Sequence, residues 1–426
     1  MTKYRVVIRA FTNRRDVAPM ELLKKLLERR GCEVMLANTR NFERILKYWK
    51  PHAIVVNTIS SVMVKERYPD CKVIFFSGEG FHGPNDPHIA IWKENPQYFE
   101  NMDMGLLWGD AIKKECDEGF INGEDVSKLH VVGNPKLDLV RFFPEKLKID
   151  NKKSIGIICR FPKLNDHLGR SAMHFLGTEF QLEEALVQAR SATTTINVIK
   201  EILEKTDFNV SIRPHPHEQV ETYIDYINHW FGKKYSSRVE VDDSLFIPKW
   251  IAEQRAIISP TSTSYLEAYI QNVPVINIDY LSDILSYNKD YIAFTKEWQE
   301  AALLPKSFDE LISLLHDDEA LEVKSDPVIE DQLDKYCSGG EDNSACLNAA
   351  QLIIHFLNKA KPEDKKHLPY SVVDFMDEIS FRRNMRWNKL HHNFCYRRNY
   401  HKIPKYVDSI VDNIEENAIR IDYSGK

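Results

Sequence analysis

Short apolar segments alternate with amphipathic helical segments along this chain, and the alternation begins twice. The first series predicts six strands, at residues 4–10, 33–37, 53–57, 73–76, 106–109 and 130–133. Continuous apolar strands separated by helices are typical of a parallel sheet that is covered on both faces. Residues 1–145 are therefore predicted to form a Rossmann-like α/β domain.

The pattern restarts after a charged stretch at residues 142–153, which has little periodicity. The second series predicts strands at residues 154–159, at a segment ending at Arg213, and at residues 239–241, 256–259 and 274–278. A chain of 426 residues exceeds what one core usually holds. Residues 153–326 predict a second Rossmann-like domain, and residues 327–426 a helical extension. Because ligands bind beyond the carboxyl ends of parallel strands, two such sheets predict a cleft between the domains.

The composition argues against several classes of protein. A net charge of −6 argues against general nucleic-acid binding. No apolar run approaches the roughly 18 residues of a membrane span, and the first residues lack the apolar core of a signal peptide. The seven cysteines are scattered without a CxxC pair, which is typical of reduced thiols. Together these features predict a cytoplasmic protein.

A proline-bounded corner follows the strand that ends at Arg213. Pro214 and Pro216 stop the strand and hold Arg213 and His215 on a stiff loop at its carboxyl end. The guanidinium group offers a planar set of donors, and the imidazole offers a donor of tunable charge. The pattern fits a phosphate-binding loop, and it also fits a proline-rich turn with solvated side chains.

A cluster of hydroxyl residues, Ser262, Thr263 and Ser264, lies between a predicted strand and a predicted helix. Helix N-termini bind phosphate through unpaired N–H groups and partial positive charge. An ordinary N-cap needs one hydroxyl, so three in succession favour a phosphate site over a simple cap. Glu267, one turn into the helix, is a candidate for binding ribose hydroxyls.

The loop after the first strand of the second domain concentrates Arg160, Asn165, Asp166 and His167 within a few residues. A carboxylate beside cationic groups at a domain junction can act as a nucleophile or a base. A solvated charged hinge has the same composition, so both interpretations stand at this point.

Two loops of the first domain hold further candidates. Glu79 lies in a glycine-rich loop directly after a predicted strand, where it could accept a proton from a substrate hydroxyl. Asn134 lies in a Gly-Asn-Pro turn before a short helix that includes Asp138. Helix capping explains that turn, and Asn134 is a candidate cleft residue.

The sequence predicts no metal site and no bound cofactor, because it contains no P-loop, no HExxH, no Cys/His cluster and no GxGxxG after the first strand. Residues 381–406 hold eight lysines and arginines, several aromatic residues and no acidic residue. Such a segment fits contact with anionic lipid or a lipid-linked acceptor, and equally a packed helix whose charges are solvated.

Four motifs, in this order, resemble those of bacterial surface-polysaccharide enzymes with the GT-B glycosyltransferase fold. They are Gly-Asn-Pro-Lys-Leu-Asp at 133–138, Asn-Asp-His at 165–167, Arg-Pro-His-Pro at 213–216 and a Ser/Thr-rich helix start at 259–268. The sequence is also similar to retaining β-Kdo transferases and other CMP-sugar enzymes. Glu-Gly-Phe at 79–81 resembles a loop of the β-Kdo transferases, and Asp166 occupies the loop that carries their catalytic aspartate.

The resemblance implies a metal-independent glycosyltransferase that moves a sugar, such as Kdo or another nonulosonic acid, from a CMP donor. The acceptor would be a glycan or a lipid-linked oligosaccharide, on the side of the domain at residues 1–145, and the domain at residues 153–326 would bind the nucleotide sugar. The enzyme would be cytoplasmic or peripheral on the inner membrane. Arg213, His215 and residues 262–264 would hold the leaving phosphate, with Asp166 as nucleophile and Glu79 as acid or base. Phosphotransferases that use CDP-glycerol or CDP-ribitol, and UDP-sugar 2-epimerases, share this fold. The alternative outside catalysis is a GT-B scaffold protein.

Overall fold

The computed structural model describes residues 4–10, 13–38, 41–78, 87–120, 126–144, 153–177, 179–260, 262–282, 302–337, 343–373, 375–376 and 403–418. The chain divides into two compact units. The first unit joins Met1–Pro144 to Gln332–Lys426, and the second unit is the continuous segment Glu145–Asp331. The C-terminal residues therefore group with the N-terminal ones.

The strands lie in two sheets, one in each unit. They are β1 (Arg5–Arg9), β2 (Glu33–Ala37), β3 (Ala53–Val56), β4 (Lys72–Phe76), β5 (Met104–Leu107), β6 (Leu129–Val131), β7 (Ser154–Ile158), β8 (Asn209–Arg213), β9 (Val239–Val241), β10 (Gln254–Ser259) and β11 (Val275–Asn277). These bounds follow the apolar runs of the sequence closely, because both faces of each sheet are covered and the strands are buried.

Helices connect the strands and cover the sheets. The described helices are α1 (Asn13–Arg29), α2 (Phe42–Trp49), α3 (Val64–Arg67), α4 (Pro87–Glu94), α5 (Pro96–Glu100), α6 (Asp110–Glu115), α7 (Pro135–Arg141), α8 (Glu179–Lys205), α9 (Val220–Ser236), α10 (Ile247–Ala252), α11 (Ser264–Ile270), α12 (Phe308–His316), α13 (Pro327–Cys337), α14 (Ala345–Ala360) and α15 (Ile403–Asn417). None of them is both long and apolar enough to cross a membrane.

Within the described residues, the first sheet has the order β2-β1-β3-β4-β5-β6 and the second has the order β11-β10-β7-β8-β9. Every pairing in both sheets is parallel. The strand order reverses beside β1 in the first sheet and beside β7 in the second. Loops diverge at such reversals and leave room for a ligand at the carboxyl edge.

The C-terminal helices complete the core of the first unit. α14 and α15 both pack on α1, whose Leu22, Leu23, Leu26 and Leu27 are fully buried. Ion pairs border this contact, including Arg30 Nη1 with Glu415 Oε1 at 2.7 Å and Lys25 Nζ with Asp408 Oδ1 at 3.1 Å. Side chains of α15 at positions 407, 410, 411 and 414 have no exposed surface, so this helix is an integral element of the unit.

Asp138, a residue of α7, binds the N-terminus of α14. Its carboxylate has no exposed surface and accepts hydrogen bonds from Ser344 Oγ at 2.8 Å, Ala345 N at 3.0 Å and Cys346 N at 2.8 Å. A helix N-terminus leaves such N–H groups unpaired, so a carboxylate there caps the helix. Burial raises the pKa of Asp138 to about 6, although the three donors oppose that rise.

Candidate functional site

The carboxyl edge of the second sheet brings three predicted loops together. β7 lies between β8 and β10, so the loops that follow these three strands are neighbours. Adjacent strands lie about 4.8 Å apart, which places the loops after β8 and β10 roughly 10 Å from each other across β7. We call residues 160–170, 213–219 and 262–267 the edge site. It lies where the strand order reverses, which is the usual ligand position in open parallel sheets.

Arg213 is held inside the fold at the end of β8. Its Nη1 donates to a carboxylate oxygen of Asp242 and to Ser244 Oγ at 3.2 Å, and its Nη2 donates to Ser244 O at 3.2 Å. The guanidinium carbon lies 5.6 Å from the ring centroid of Trp250. The side chain is buried, and the Asp242 carboxylate balances its charge. This arrangement fixes the start of the His-Pro corner.

His215 occupies the corner with a defined ring orientation. Its Nδ1 accepts a hydrogen bond from His217 N at 3.2 Å, so the proton of the neutral imidazole lies on Nε2. The ring centroid of His217 lies 5.6 Å from that of His215 and 5.1 Å from that of His167. Three half-buried imidazoles therefore form a row that joins the loop after β7 to the loop after β8.

The buried side chain of Glu218 connects the loop after β8 to the loop after β7. Its side chain has no exposed surface, and its carboxylate accepts from Phe161 N at 2.5 Å and from the hydroxyl of Tyr223. Glu218 is not among the site residues predicted from the sequence. An acidic residue at a helix start carries no local signal for a partner 57 positions earlier.

Backbone contacts reinforce the same junction. Asn165 Nδ2 donates to Gln219 O at 2.8 Å, and Gln219 N donates to Asn165 O at 3.1 Å. His167 N also donates to His217 O at 2.9 Å. Asn165 and His167, both predicted cleft residues, therefore hold the loop at residues 213–219 in a fixed position. A preorganised donor needs such support.

Asp166 is surrounded by hydrogen-bond donors. Its carboxylate accepts from Arg170 Nε at 2.9 Å and Nη2 at 2.8 Å, and from the backbone N of Leu168 at 3.0 Å and of Arg170 at 3.2 Å. Only 4% of the residue is exposed. The bidentate bond with Arg170 lowers the pKa of Asp166 to about 2. In this geometry the carboxylate organises its loop, and its lone pairs are directed at donors of the protein.

Substituting Asp166 with asparagine is expected to make the second unit less sensitive to acid. The folded pKa lies below the unfolded value, so the contribution of Asp166 to stability is present above pH 4 and is lost as the pH falls towards 2. Because Arg170 is partly solvated, we expect a contribution of about 1–2 kcal/mol. Urea unfolding at pH 6 and pH 3 measures it. An equal loss of stability in both proteins on acidification would contradict this assignment.

The hydroxyl cluster begins α11 beside β10. Ser262 Oγ accepts a hydrogen bond from Ser264 N at 3.3 Å. Thr263, the N-cap residue of α11, is exposed, and its side chain makes no cap bond within the described residues. α11 has seven residues, so its dipole is small and the hydroxyl groups are the main donors it offers. Glu267 is buried in the first turn of this helix.

The remaining predicted site residues are Arg160, Asn134 and Glu79. Arg160 is half-buried at the carboxyl end of β7. Asn134 belongs to the first unit, where its Oδ1 accepts from Lys136 N at 3.0 Å and caps α7. Glu79 lies outside the described residues, as do residues 381–402 of the basic segment. In the described part of the chain, no group of three or more His, Cys, Asp or Glu residues is arranged to bind a metal ion.

Comparison with known proteins finds likeness in structure only. No protein-family model matches the chain, and no curated protein matches its sequence. The H444N variant of the wall teichoic acid polymerase TagF is similar with a TM-score of 0.54 and 12% identity, over 85% of this chain and 90% of TagF. The same variant soaked with CDPG for 30 minutes gives a TM-score of 0.56 at 12% identity, over 85% and 91% of the two chains.

A second protein has a similar fold. The complex of S. aureus MnaA with UDP has a TM-score of 0.51 and 14% identity, over 86% of this chain and all of that one. At such low identity the likeness concerns the fold. It confirms the predicted class, an α/β chain with two Rossmann-like domains of the GT-B type.

Proposed function

We propose that this protein is a transferase of cell-surface polymer synthesis that binds a nucleotide-activated donor at the edge site. One observation carries the proposal. The loop that holds His215 follows β8, and the hydroxyl cluster at residues 262–264 follows β10; these two strands lie on either side of β7, where the strand order of the second sheet reverses. The structures of similar fold support it, because they include a wall teichoic acid polymerase soaked with CDPG and an MnaA structure that contains UDP.

In this proposal the phosphate of the donor binds between the loops after β8 and β10. His215 Nε2–H and the hydroxyls of residues 262–264 donate to phosphate oxygens, and they stabilise the charge that develops as the nucleotide leaves. Arg213 acts indirectly, because its pairing with Asp242 fixes the corner that carries His215. Glu267 would hold the ribose hydroxyls of the nucleotide.

The donor is proposed to be a cytidine nucleotide, in one of two chemical forms. A CMP-linked sugar, as the motif resemblance implies, would need an accessible nucleophile for a retaining double displacement. The carboxylate of Asp166 already accepts four hydrogen bonds from Arg170 and Leu168, which disfavours Asp166 as that nucleophile. A CDP-linked polyol needs no carboxylate nucleophile: the acceptor hydroxyl oxygen attacks the polyol phosphate, and the bond from its phosphorus to CMP breaks. The geometry of Asp166 favours this second form.

The acceptor is proposed to be a glycan, a growing polymer or a lipid-linked oligosaccharide. Residues 381–406 would bring the enzyme to a membrane that carries such an acceptor, because clustered basic residues are attracted to anionic lipid.

Thermal melting with CMP, CDP, UMP and UDP tests the donor proposal. A ligand at 100 times its dissociation constant stabilises by about 2.7 kcal/mol, which should raise the melting temperature of the second unit by roughly 5–11 °C. We expect the cytidine nucleotides to give this shift, and the His215→Ala variant to lose most of it. His229→Ala, an exposed histidine of the same unit, is the control and should keep it.

The pattern of shifts separates the candidates. A larger shift with CDP than with CMP would support polyol-phosphate transfer, and the reverse would support a CMP-sugar donor. A shift with UDP alone would favour a UDP-sugar enzyme and would contradict the cytidine proposal. The absence of any shift in the wild-type protein would favour a scaffold role.

A further inference from the structure

The second unit has a cavity that the proposed donor site does not use. Its volume is about 310 Å³, and its lining comes from α11, from the residues around the start of β11 and from residues 319–326. We call it the outer cavity. The edge site follows the carboxyl ends of β7, β8 and β10, whereas Val273 and Pro274 of the outer cavity precede β11. The volume is at the lower end of the usual range for small-ligand pockets, so it fits a compact ligand.

The helix α11 contributes different residues to the outer cavity and to the edge site. Tyr265 and Tyr269 line the outer cavity, and their spacing of four positions places them on the same face of the helix. Glu267, the residue of this helix proposed to hold the donor, lies two positions from each tyrosine, which is about 200° around the helix axis. A ligand in the outer cavity therefore binds apart from the residues that would hold the donor.

Hydrogen bonds fix the position of Tyr269 in the lining. Its hydroxyl group donates to Glu330 Oε1 at 3.3 Å and accepts from Asp326 N at 2.8 Å. Ser325 Oγ also donates to Glu330 Oε1, at 2.6 Å. These bonds connect α11 to the segment at residues 319–326, so the fold holds two parts of the lining in a set arrangement. The aliphatic residues of the lining are Val273, Pro274, Val275, Ala320, Leu303 and Val323.

Carboxylates determine the sign of the charge at the outer cavity. Glu319, Glu322 and Asp326 line it, together with one basic residue among those described, Lys324. Glu322 N donates to Glu319 O at 3.2 Å, so one tight turn carries both exposed glutamates. Burial raises the pKa of both tyrosines, and the nearby charge of Asp326 raises it further. The lining is therefore net negative, and its tyrosines remain uncharged at neutral pH.

This combination of an apolar, aromatic lining and carboxylates indicates the class of ligand. An ammonium group is attracted by carboxylates and by the electron-rich faces of tyrosine rings, and its carbon substituents suit an apolar lining. An anion would be repelled. A bare metal ion needs several oxygen ligands close together. No group of three acidic, histidine or cysteine side chains in the described part of the chain is arranged in that way.

We propose that the outer cavity binds a compact organic cation, a primary or quaternary ammonium compound, through Tyr265, Tyr269, Glu319 and Glu322. This site goes beyond the donor site and does not depend on it, because it shares no residue with the edge site.

NMR titration of the full chain with choline and with ethanolamine tests the proposal. The neutral carbon isostere of choline is the matched ligand control, because it has the same shape without the charge. We expect choline to bind at least tenfold more tightly than this isostere, and its affinity to fall as salt is added.

Variants of the lining separate the contributions of charge and of the rings. Glu319→Gln combined with Glu322→Gln keeps the shape and removes two charges, so choline binding should weaken about tenfold while binding of the isostere is unchanged. Tyr265→Leu should weaken choline binding about fivefold, and Tyr265→Phe, which keeps the ring, should retain it. Thermal melting confirms that each variant is folded.

Glu240 provides a matched control at the other side of the same sheet. It is exposed on β9, the edge strand opposite β11, so Glu240→Gln should bind choline as the wild-type protein does. The nucleotide shifts of the variant lacking both glutamates should equal those of the wild type, so failure of the donor proposal would leave this test intact. The proposal is overturned if neither ammonium compound binds the wild-type protein, if the isostere binds as tightly as choline, or if the variant lacking both glutamates binds choline as well as Glu240→Gln.

Discussion

Replacing His215 with alanine is expected to reduce kcat/KM for donor turnover by about 10²–10³-fold, the usual effect of removing one donor that stabilises developing charge. The variant loses Nε2–H, which we propose donates to the leaving phosphate. The fold should survive, because the backbone bond from Glu218 N to His215 O at 2.8 Å does not involve the side chain. Steady-state kinetics with the donor selected by thermal melting provides the measurement.

A conservative variant separates the possible roles of this histidine. His215→Gln places an amide N–H near the position of Nε2, so it should recover part of the lost rate if His215 acts as a hydrogen-bond donor. If His215 instead transfers a proton, glutamine should be as inactive as alanine, and the acidic or basic limb of the pH–rate profile should disappear. Full activity of His215→Ala, equal to that of the His229→Ala control, would remove His215 from the site.

Replacing Asp138 with alanine is expected to destabilise the first unit by about 3 kcal/mol at pH 7. The change leaves Ser344 Oγ, Ala345 N and Cys346 N buried without their acceptor, and each unpaired buried donor costs about 1–3 kcal/mol. Relief of the buried negative charge offsets part of that cost. Urea unfolding of the wild-type and variant proteins gives the difference in free energy of unfolding.

The pH dependence of this effect has a definite sign. The pKa of Asp138 is raised from 3.8 to about 6, so the protonated carboxyl favours folding below pH 4 and this contribution is lost as the pH rises through 6. Asp138→Ala should therefore cost more at pH 5 than at pH 7. Asp138→Asn, which stays neutral, should remove the dependence.

An exposed pair in the same unit offers a control for Asp138. Asp70 also bonds a residue of the C-terminal segment, Lys365, but its side chain is largely solvated. Asp70→Ala should leave the free energy of unfolding nearly unchanged, because exposed ion pairs contribute little to stability. If Asp70→Ala and Asp138→Ala have equal effects, burial is not what makes the Asp138 contact strong.

The sheets could be predicted from the sequence because their signal is local. Each apolar run needs to be read only over five or six residues, and the two reversals of strand order follow from the usual topology of such chains. The edge position of His215 and of residues 262–264 follows in the same way. Contacts across long stretches of sequence could not be predicted: Glu218 meets Phe161, and Asp138 meets residues more than 200 positions away.

A further signal was present in the C-terminal segment. Residues 407, 410, 411 and 414 are apolar at helical spacing and are fully buried on α1, although the segment as a whole is polar. The role of Asp166 also depends on spacing, because Arg170 lies four positions later in the same loop and forms the bidentate bond. The pairing of Arg213 with Asp242 required the folded structure.

The first unit is made of two separate parts of the chain, so it cannot be completed until the end of synthesis. The leucine face of α1 leaves the ribosome early, but α14 and α15, which cover it, are made only after the whole second unit. At 5–20 residues per second, synthesis of that intervening segment takes roughly 10–40 s. The second unit can fold during this delay, while the earlier half waits with an uncovered apolar surface. Chaperones that bind the nascent chain, and slow codons in this interval, would therefore affect the fraction of correctly folded first unit more than that of the second.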